Sequence, residues 1–253
     1  MTELCYSQNL MKKALYLTLL LSFSLPAIGQ AYILPPDFIV RMLVDKQRQG
    51  KSQDWSLKLS TEYADQDLLS EERLYLKRPE RVRQVETSGQ ERVYVEREGK
   101  SASGHKKVLK LNPGPHTNLL ATLMIPVGKT VDERSARIME FLTQSGIDTS
   151  VVSLGRLNQK PAYIVGAKLS ETKKPQIWFD KRSFLPVRWL VYSKGDSTGT
   201  PIEVRLANYA SSPAGSIHPQ ILETYRDGKF VSRTTVLEAK VNQSLPESLF
   251  QLP

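Results

Sequence analysis

The chain has 253 residues and a formal net charge of +9, with 35 lysine and arginine residues against 26 aspartate and glutamate residues. This length suits one large domain or two small ones, and no low-complexity linker or fixed-period repeat divides the chain. Its single cysteine, Cys5, excludes disulfides within the chain, so its stability must come from packing.

The first residues follow the pattern of a secretory signal peptide. Lys12 and Lys13 precede an apolar run of 12 residues, and small residues lead to a cleavage position at Ala31. The run is shorter than the roughly 20 residues that span a bilayer. We therefore expect residues 1–31 to be a signal peptide, of which residues 1–10 could be a misassigned start. An N-terminal membrane anchor is the alternative interpretation.

Export fixes the expected compartment and partners. No cysteine follows the apolar run, so lipid modification at the cleavage site is not expected. The predicted product is a soluble periplasmic protein. Its positive charge suits anionic headgroups or acidic polymers through long-range attraction, whereas nucleic acid is not an expected partner in that compartment.

The mature chain is predicted to begin with a helix. Pro35-Pro36-Asp37 fits a first turn, where the missing N–H of proline leaves no bond unmade. Gly50 is a natural stop. Between these positions apolar residues recur at helical spacing: Phe38, Ile39, Met42 and Leu43.

Three runs of alternating apolar and polar residues then predict strands with one buried face. Gly89 and Gly99 supply turns between runs, and successive short strands favour an antiparallel meander. The apolar positions of the three runs are Trp55, Leu57 and Leu59, then Leu74 and Leu76, then Val93 and Val95.

The strand pattern lapses across residues 101–150, which we expect to form a helical and loop insertion. The apolar stretch 118–125 fits a short helix. Thr130 and Glu133 fit a capping box, and the helix behind them should stop at Gly146. The residues expected to cover the sheet are Met124, Ile138, Met139 and Leu142.

Strands resume after the insertion. Asp227-Gly228 fits a hairpin turn, since both residues accept a positive φ. The predicted strands are 151–156, 162–169, 176–180, 187–192, 202–209, 220–226 and 232–241. With the first group this gives about ten strands, and the helical interruption argues against full closure. We predict an α+β fold over residues 32–253: a curved antiparallel sheet forming an unclosed β-barrel, with helices over its concave apolar face.

The sequence offers no positive argument for an enzyme, a metal site or a cofactor. His105, His116 and His218 lack any paired spacing and are each expected in a loop. Ser-x-x-Lys occurs at Ser103 and at Ser170, but without the companion motifs of penicillin-binding enzymes.

Aromatic residues on the predicted strands are the most distinctive feature. Trp55, Trp178 and Trp189 all fall on strands, and Trp178 has the opposite parity to Ile177 and Phe179. A strand that is apolar on both sides must be covered on both sides or line a site. Two interpretations stay open: a core filled by side chains, or a concave cavity for acyl chains under the helices.

Three segments in order resemble the LolA/LolB-like family of bacterial outer-membrane lipoprotein carriers. Leu74–Arg83 runs from an apolar strand into Lys-Arg-Pro and ends on arginine. Ile177–Arg188 is similar to the family's strand that ends in aspartate and continues through a turn to Leu-Pro. Val241–Phe250 is similar to its closing segment, with asparagine and a terminal Leu-Phe. The insertion and Val82, where an aromatic residue is common, depart from the best-known members.

The resemblance implies an unclosed barrel and a periplasmic protein that shields acyl chains of lipoproteins or related lipids on their way to the outer membrane. It further implies a monomer that receives cargo from an inner-membrane donor complex and delivers it to an outer-membrane acceptor. Three alternatives stay open: a sensor of envelope stress on the same scaffold, an enzyme that uses Ser103 or Ser170, and a purely structural envelope protein.

The candidate site residues fall into three groups. Besides the cover residues above, cations expected to meet headgroups or a membrane partner are Lys77, Arg78, Arg81 and Arg83. Parity alone cannot say which face of the sheet is the cavity. The residues expected to line the cavity or form the core are Trp55, Leu57, Leu59, Leu74, Leu76, Val93, Val95, Ile177, Phe179, Val187, Trp189 and Val191.

Overall fold

A computed structural model of the chain describes residues 33–48, 54–77, 81–86, 91–95, 100–103, 119–120, 122–123, 130–192, 199–212 and 215–251. Its helices are α1 (Pro36–Arg48) and α2 (Val131–Gln144), with a 3-10 turn at Glu247–Phe250. The strands are β1 (Asp54–Tyr63), β2 (Gln66–Lys77), β3 (Arg81–Glu86), β4 (Glu91–Val95), β5 (Lys100–Ser103), β6 (Val152–Leu157), β7 (Lys160–Val165), β8 (Gln176–Asp180), β9 (Pro186–Tyr192), β10 (Pro201–Ser211), β11 (Ile217–Arg226) and β12 (Lys229–Val241).

The described strands form one antiparallel sheet that does not close. Its order is β5-β4-β3-β2-β1-β12-β11-β10-β9-β8-β7-β6, so the first and last strands of the chain pair inside the sheet. The edge strands β5 and β6 flank α2 in the sequence. The predicted α+β class and unclosed barrel are confirmed.

The described part of the chain has twelve strands, against about ten predicted. The two unpredicted strands are β3 and β5. Arginines and Gln84 interrupt the apolar alternation of β3, and β5 reads Lys-Ser-Ala-Ser, with no large apolar side chain. Both strands form through ladder hydrogen bonds to β4, which a pattern search for apolar residues does not detect.

Helix α1 lies where the sequence predicts it. Its buried residues, however, are shifted by about one position toward the C-terminus from those predicted. Ile39, Val40, Leu43 and Val44 are all buried against the core, at the spacing expected of an amphipathic helix. Phe38, predicted on this face, is 41% exposed.

Helix α2 begins with the predicted capping box. The Thr130 hydroxyl accepts a hydrogen bond from the Glu133 N–H at 3.1 Å, and the Glu133 carboxylate accepts one from the Thr130 N–H at 3.4 Å. The helix ends before Gly146, whose φ is +81°. Ile138 and Leu142 are buried, and α2 contacts α1. The cap fixes where α2 begins, and its buried apolar residues pack in the core with those of the sheet.

Large apolar side chains cover both faces of β8, as its parity predicts. On one face Ile177 and Phe179 join the main core with α1 and α2. On the other, Trp178 packs with Ala162 and Ile164 in a second, smaller cluster. The Trp178 indole donates to Gln176 Oε1 at 2.6 Å, so its polar atom is satisfied.

Gly166 offers a test of how tightly the second half of the sheet is packed. Its φ is +107°, and a Cβ there would lie 2.6 Å from the carbonyl oxygen of Pro175 and 2.7 Å from Cγ2 of Ile147. We expect Gly166→Ala to lower the free energy of unfolding by about 3 kcal/mol, from an unfavourable φ and overpacking together. Urea unfolding of the purified protein measures this.

Gly228 is the matched control. Its φ is +74°, but nothing lies within 4 Å of a Cβ built there. Gly228→Ala should therefore lose only about 1 kcal/mol, the part that comes from φ. Equal losses at the two positions would contradict the packing described for Gly166.

Candidate functional site

The sheet presents one continuous apolar face to the helices. Trp55 pairs with Leu76 and Leu57 with Leu74 across β1 and β2, and Ile177 pairs with Trp189 across β8 and β9. Cross-strand partners share a face, so these pairs line the same side. The predicted lining residues in this core, all nearly inaccessible to solvent, are Trp55, Leu57, Leu59, Leu74, Leu76, Ile177, Phe179, Trp189 and Val191. The structure thus shows which face of the sheet the helices cover, and the role of that face as a cavity stays a prediction.

Val187 lies on the other face of the sheet, against the Trp178 cluster. Trp178 pairs with Arg188 and Phe179 pairs with Pro186, so Val187 is the extra residue of a β-bulge. One extra residue reverses parity locally, which explains why simple alternation misplaced it. The side chains of Val93 and Val95 lie outside the described part of the structure, and their role stays a prediction.

The cover of the apolar face comes from α1, α2 and the helical residues Leu119, Leu120 and Leu123, all three of them buried. Of the predicted cover residues, Ile138 and Leu142 are buried in the same core and Met139 is half-buried against it. Met124 lies outside the described residues.

Helix α2 contacts the sheet through an aromatic pair. The rings of Phe141 and Trp189 lie with their centroids 5.9 Å apart. The described interior is therefore occupied by the side chains of the cover itself, so a ligand has to take the place of some of them.

Five polar atoms are buried around this apolar interior without a hydrogen-bond partner among the described residues. Two are indole N–H donors, Nε1 of Trp55 and of Trp189, and the others are Oε1 of Gln47, Oε1 of Gln84 and Nδ1 of His218. Buried polar atoms are nearly always hydrogen-bonded, so each of these calls for an explanation.

The sequence did not point to Gln47 or His218 as site residues. His218, expected in a loop, lies in β11 and is only 6% exposed. Its ring contacts Trp55 edge-on, with centroids 5.6 Å apart. Pro219 follows it directly and obscured the strand, because proline usually interrupts one. Desolvation by burial lowers the pKa of His218.

The inner face becomes polar toward the turn between β1 and β2. The hydroxyls of Thr61 and Thr234 are hydrogen-bonded at 2.9 Å, and the Gln84 amide donates to the Glu72 carboxylate. The register places all four on the helix-facing side, since Thr61 pairs with Thr234 and Glu72 with Leu59. The lining therefore has an apolar middle and a polar end.

The predicted headgroup cations contact the chain's own C-terminal segment. Lys77 forms an ion pair with Glu247 at 2.9 Å, and Arg81 pairs with the same carboxylate. Arg83 Nη1 donates to the carbonyl oxygen of Leu249 at 2.8 Å. An external headgroup would have to compete with these contacts. Arg78 lies outside the described residues.

Asp54 holds the start of the same C-terminal segment. Its carboxylate accepts hydrogen bonds from the N–H groups of Gln243 at 2.7 Å and Leu245 at 3.2 Å, and it is only 3% exposed. The segment is thus anchored to β1 at one end and to β3 at the other. These cations therefore hold the C-terminal segment in place, and their contact with headgroups stays a prediction.

Across the residues that the structure describes, no three metal-ligating side chains come together. None of the helices in that part of the chain has the length and hydrophobicity needed to cross a bilayer.

Comparison with solved structures identifies the fold as LolA-like. A LolA superfamily protein from Nitrosomonas europaea matches with a TM-score of 0.52 and 15% identity, covering 86% of this chain and 98% of the other. A DUF1329 family protein from Desulfovibrio piger matches with a TM-score of 0.52 and 12% identity, over 86% and 97%. The resemblance in fold predicted from the sequence is confirmed.

A putative outer membrane lipoprotein-sorting protein domain from Vibrio parahaemolyticus matches at a TM-score of 0.49 and 8% identity, over 85% of this chain and 97% of the other. No family model and no curated protein matches the sequence. At these identities the likeness concerns the fold alone.

The burial of His218 predicts a pH dependence of stability. Its pKa in the folded protein is below the ordinary 6.5, so on acidification the unfolded chain binds the proton first. The stabilisation is complete above pH 6.5 and is lost as the pH falls toward the folded pKa, by at most about 1.4 kcal/mol per pH unit. His218→Phe should remove this contribution to the change of the free energy of unfolding with pH.

Chemical unfolding at pH 7.5, 6.5 and 5.5 measures the difference between the two proteins. Every other histidine is common to both and cancels in that difference. Asp180, Glu203 and Glu223 have lowered pKa values and titrate at lower pH. Parallel slopes for wild type and variant would show that His218 is not held neutral by its surroundings.

Proposed function

We propose that this protein is a periplasmic carrier that binds acyl chains of lipoproteins, or of related lipids, and moves them toward the outer membrane. The observation that carries the proposal is the continuous apolar face of an unclosed LolA-like sheet, covered by two amphipathic helices. Its action is binding and release, without a chemical step.

The energetics favour a covered apolar face for such a task. An exposed acyl chain costs about 0.8 kcal/mol per methylene in water, so a chain of about fifteen methylenes costs about 12 kcal/mol. A carrier has to offer apolar surface of comparable extent. In the empty protein that surface has to be covered as well, which α1 and α2 do with Leu43, Val44, Ile138 and Leu142.

The cover is held in a way that permits exchange. Hydrophobic contacts are non-directional, so a hydrocarbon chain can replace helix side chains at little net cost. An ion pair between Arg41 and Asp132, 3.1 Å apart, joins α1 to α2 at the surface. Both side chains are more than half exposed, and such a pair contributes about 0–1 kcal/mol. We place the entrance for the acyl chain between these two helices.

The remaining features of the sequence agree with this role. The predicted signal peptide would deliver the protein to the periplasm, and its positive charge favours encounters with anionic membrane surfaces. The polar end of the lining, at Thr61, Glu72, Gln84 and Thr234, suits the junction between an acyl chain and its headgroup.

Linking the two helices tests the proposal. In a Cys5→Ser background, Arg41→Cys and Asp132→Cys are joined by a short bismaleimide with a reducible disulfide. If cargo enters between α1 and α2, the link reduces the binding-competent fraction and lowers the apparent affinity for a fluorescent long-chain fatty acid by about tenfold or more. Reduction of the linker should restore binding.

The control carries the same linker on the outer face of β12, between Glu238→Cys and Lys240→Cys, whose side chains meet 2.7 Å apart at the surface. It should bind the probe like the unlinked protein. Failure of the unlinked protein to bind any acyl probe would contradict the proposed function. Native mass spectrometry of protein from its own envelope then identifies the cargo, and capture of a membrane-bound regulator instead of lipid would favour a sensor.

A further inference from the structure

Gln47, Trp55 and His218 form a buried polar cluster, named here the Trp55 cluster. They come from three elements: the last turn of α1, the start of β1, and β11. Their exposed fractions are 6%, 0% and 6%, and each carries a polar atom without a partner among the described residues. Leu43 and Val44, one turn earlier on α1, belong to the main core, so the cluster borders the apolar interior.

One hydrogen bond fixes the orientation of the Gln47 amide. Its Nε2 donates to the backbone carbonyl of Ile217 at 3.0 Å. The opposite orientation would set two oxygens against each other, so Oε1 has to be the outward acceptor. Gln47 Oε1 therefore needs a donor.

Trp55 has the opposite requirement to Gln47, because it needs an acceptor. Its indole Nε1–H only donates. His218 stands edge-on to the same ring, and its Nδ1 can donate or accept according to tautomer. The Trp55 cluster thus combines one fixed acceptor, one fixed donor and one adaptable nitrogen.

A fixed donor beside a fixed acceptor favours some chemical groups over others as ligands. An ammonium group only donates and leaves the Trp55 N–H unpaired. A carboxylate or an ester carbonyl only accepts and leaves Gln47 Oε1 unpaired. A hydroxyl group donates and accepts at once, so its chemistry matches both requirements. Burial lowers the pKa of His218, so the cluster is neutral near pH 7 and favours a neutral ligand.

We infer that the Trp55 cluster is a subsite for a hydroxyl group on the acyl chain of a lipid, as in a hydroxylated fatty acyl chain. The inference rests on the proposed function, because it places this group on a ligand that occupies the apolar interior. Elsewhere on the inner face Thr61 and Thr234 bond to each other, and Gln84 donates to Glu72 but keeps an unpaired Oε1. The Trp55 cluster differs from these pairs because it brings an unpaired donor and an unpaired acceptor from separate elements.

Two isomeric probes test this inference on the full, delipidated protein. Dodecan-1-ol and 1-methoxyundecane have the same heavy atoms, but only the alcohol can donate. We expect the wild-type protein to bind the alcohol about tenfold more tightly, the scale of one well-placed hydrogen bond to a buried group. Competition against a fluorescent fatty acid measures both affinities.

Gln47→Leu and Trp55→Phe should each bring the alcohol-to-ether ratio close to one while the ether still binds. The control is Trp178→Phe, which removes an indole N–H from the opposite face of the sheet and should keep the wild-type ratio. Circular dichroism checks that the variants are folded. If Trp55→Phe fails to fold, the wild-type ratio and Gln47→Leu together still decide the matter.

The outcomes separate this inference from the proposed function. If both probes bind the wild-type protein equally, the Trp55 cluster binds only water, and the inference is overturned while the carrier function stands. If the alcohol is preferred to the same degree in Gln47→Leu and Trp55→Phe, its hydroxyl binds elsewhere, and the inference is again overturned. If neither probe displaces the fluorescent fatty acid, the subsite is overturned while the carrier function stands. If the fluorescent fatty acid itself does not bind, the proposed function fails and the subsite with it.

Discussion

The whole arrangement depends on the need to cover one apolar face of an open sheet. A closed barrel fills its interior with side chains from its own wall, whereas an unclosed one has to bring its cover from elsewhere in the chain. Here α1, ahead of β1, and α2, between β5 and β6, provide that cover, and their buried residues join those of the sheet in one core. The cover takes no part in the ladder of hydrogen bonds that joins the strands, so the exchange proposed above breaks none of those bonds.

The middle of the sheet is formed by the pairing of β1 with β12. β1 lies between β2 and β12, so strands from the beginning and the end of the described chain share the centre of the sheet. Asp54 then bonds to Gln243 and Leu245, and the segment beyond runs to β3 through Lys77, Arg81 and Arg83. The C-terminal segment is thus fixed to the sheet by charge-assisted hydrogen bonds. The cover is held by apolar contacts, together with the hydrogen bond from Gln47 to Ile217 and the ion pair between Arg41 and Asp132.

Much of this fold could be predicted from the sequence, because the signals were local. The capping box at Thr130, the Asp227-Gly228 hairpin, whose residues have φ of 47° and 74°, and the opposite parity of Trp178 are each read within a few residues. What escaped prediction depends on partners far along the chain. β3 is a strand because of its neighbours, and the bulge at Val187 is visible only in the pairing of β8 with β9.

The candidate site shows the same difference between local sequence signals and long-range contacts, and shows it more clearly. Nine of the predicted lining residues are apolar strand positions, and their alternation placed them correctly on one face. Gln47 and His218 carry no such pattern, because a single polar residue has no period, and 170 residues separate Gln47 from its partner Ile217.

Yet polar atoms are what can give an apolar interior a preference. Hydrocarbon contacts are non-directional and accept any chain that fits, whereas a buried donor and acceptor penalise every ligand that leaves them unpaired. A carrier whose cover and lining are both apolar loads and unloads readily. Under the proposed function, the few polar atoms within the interior decide which lipid is held and in which orientation.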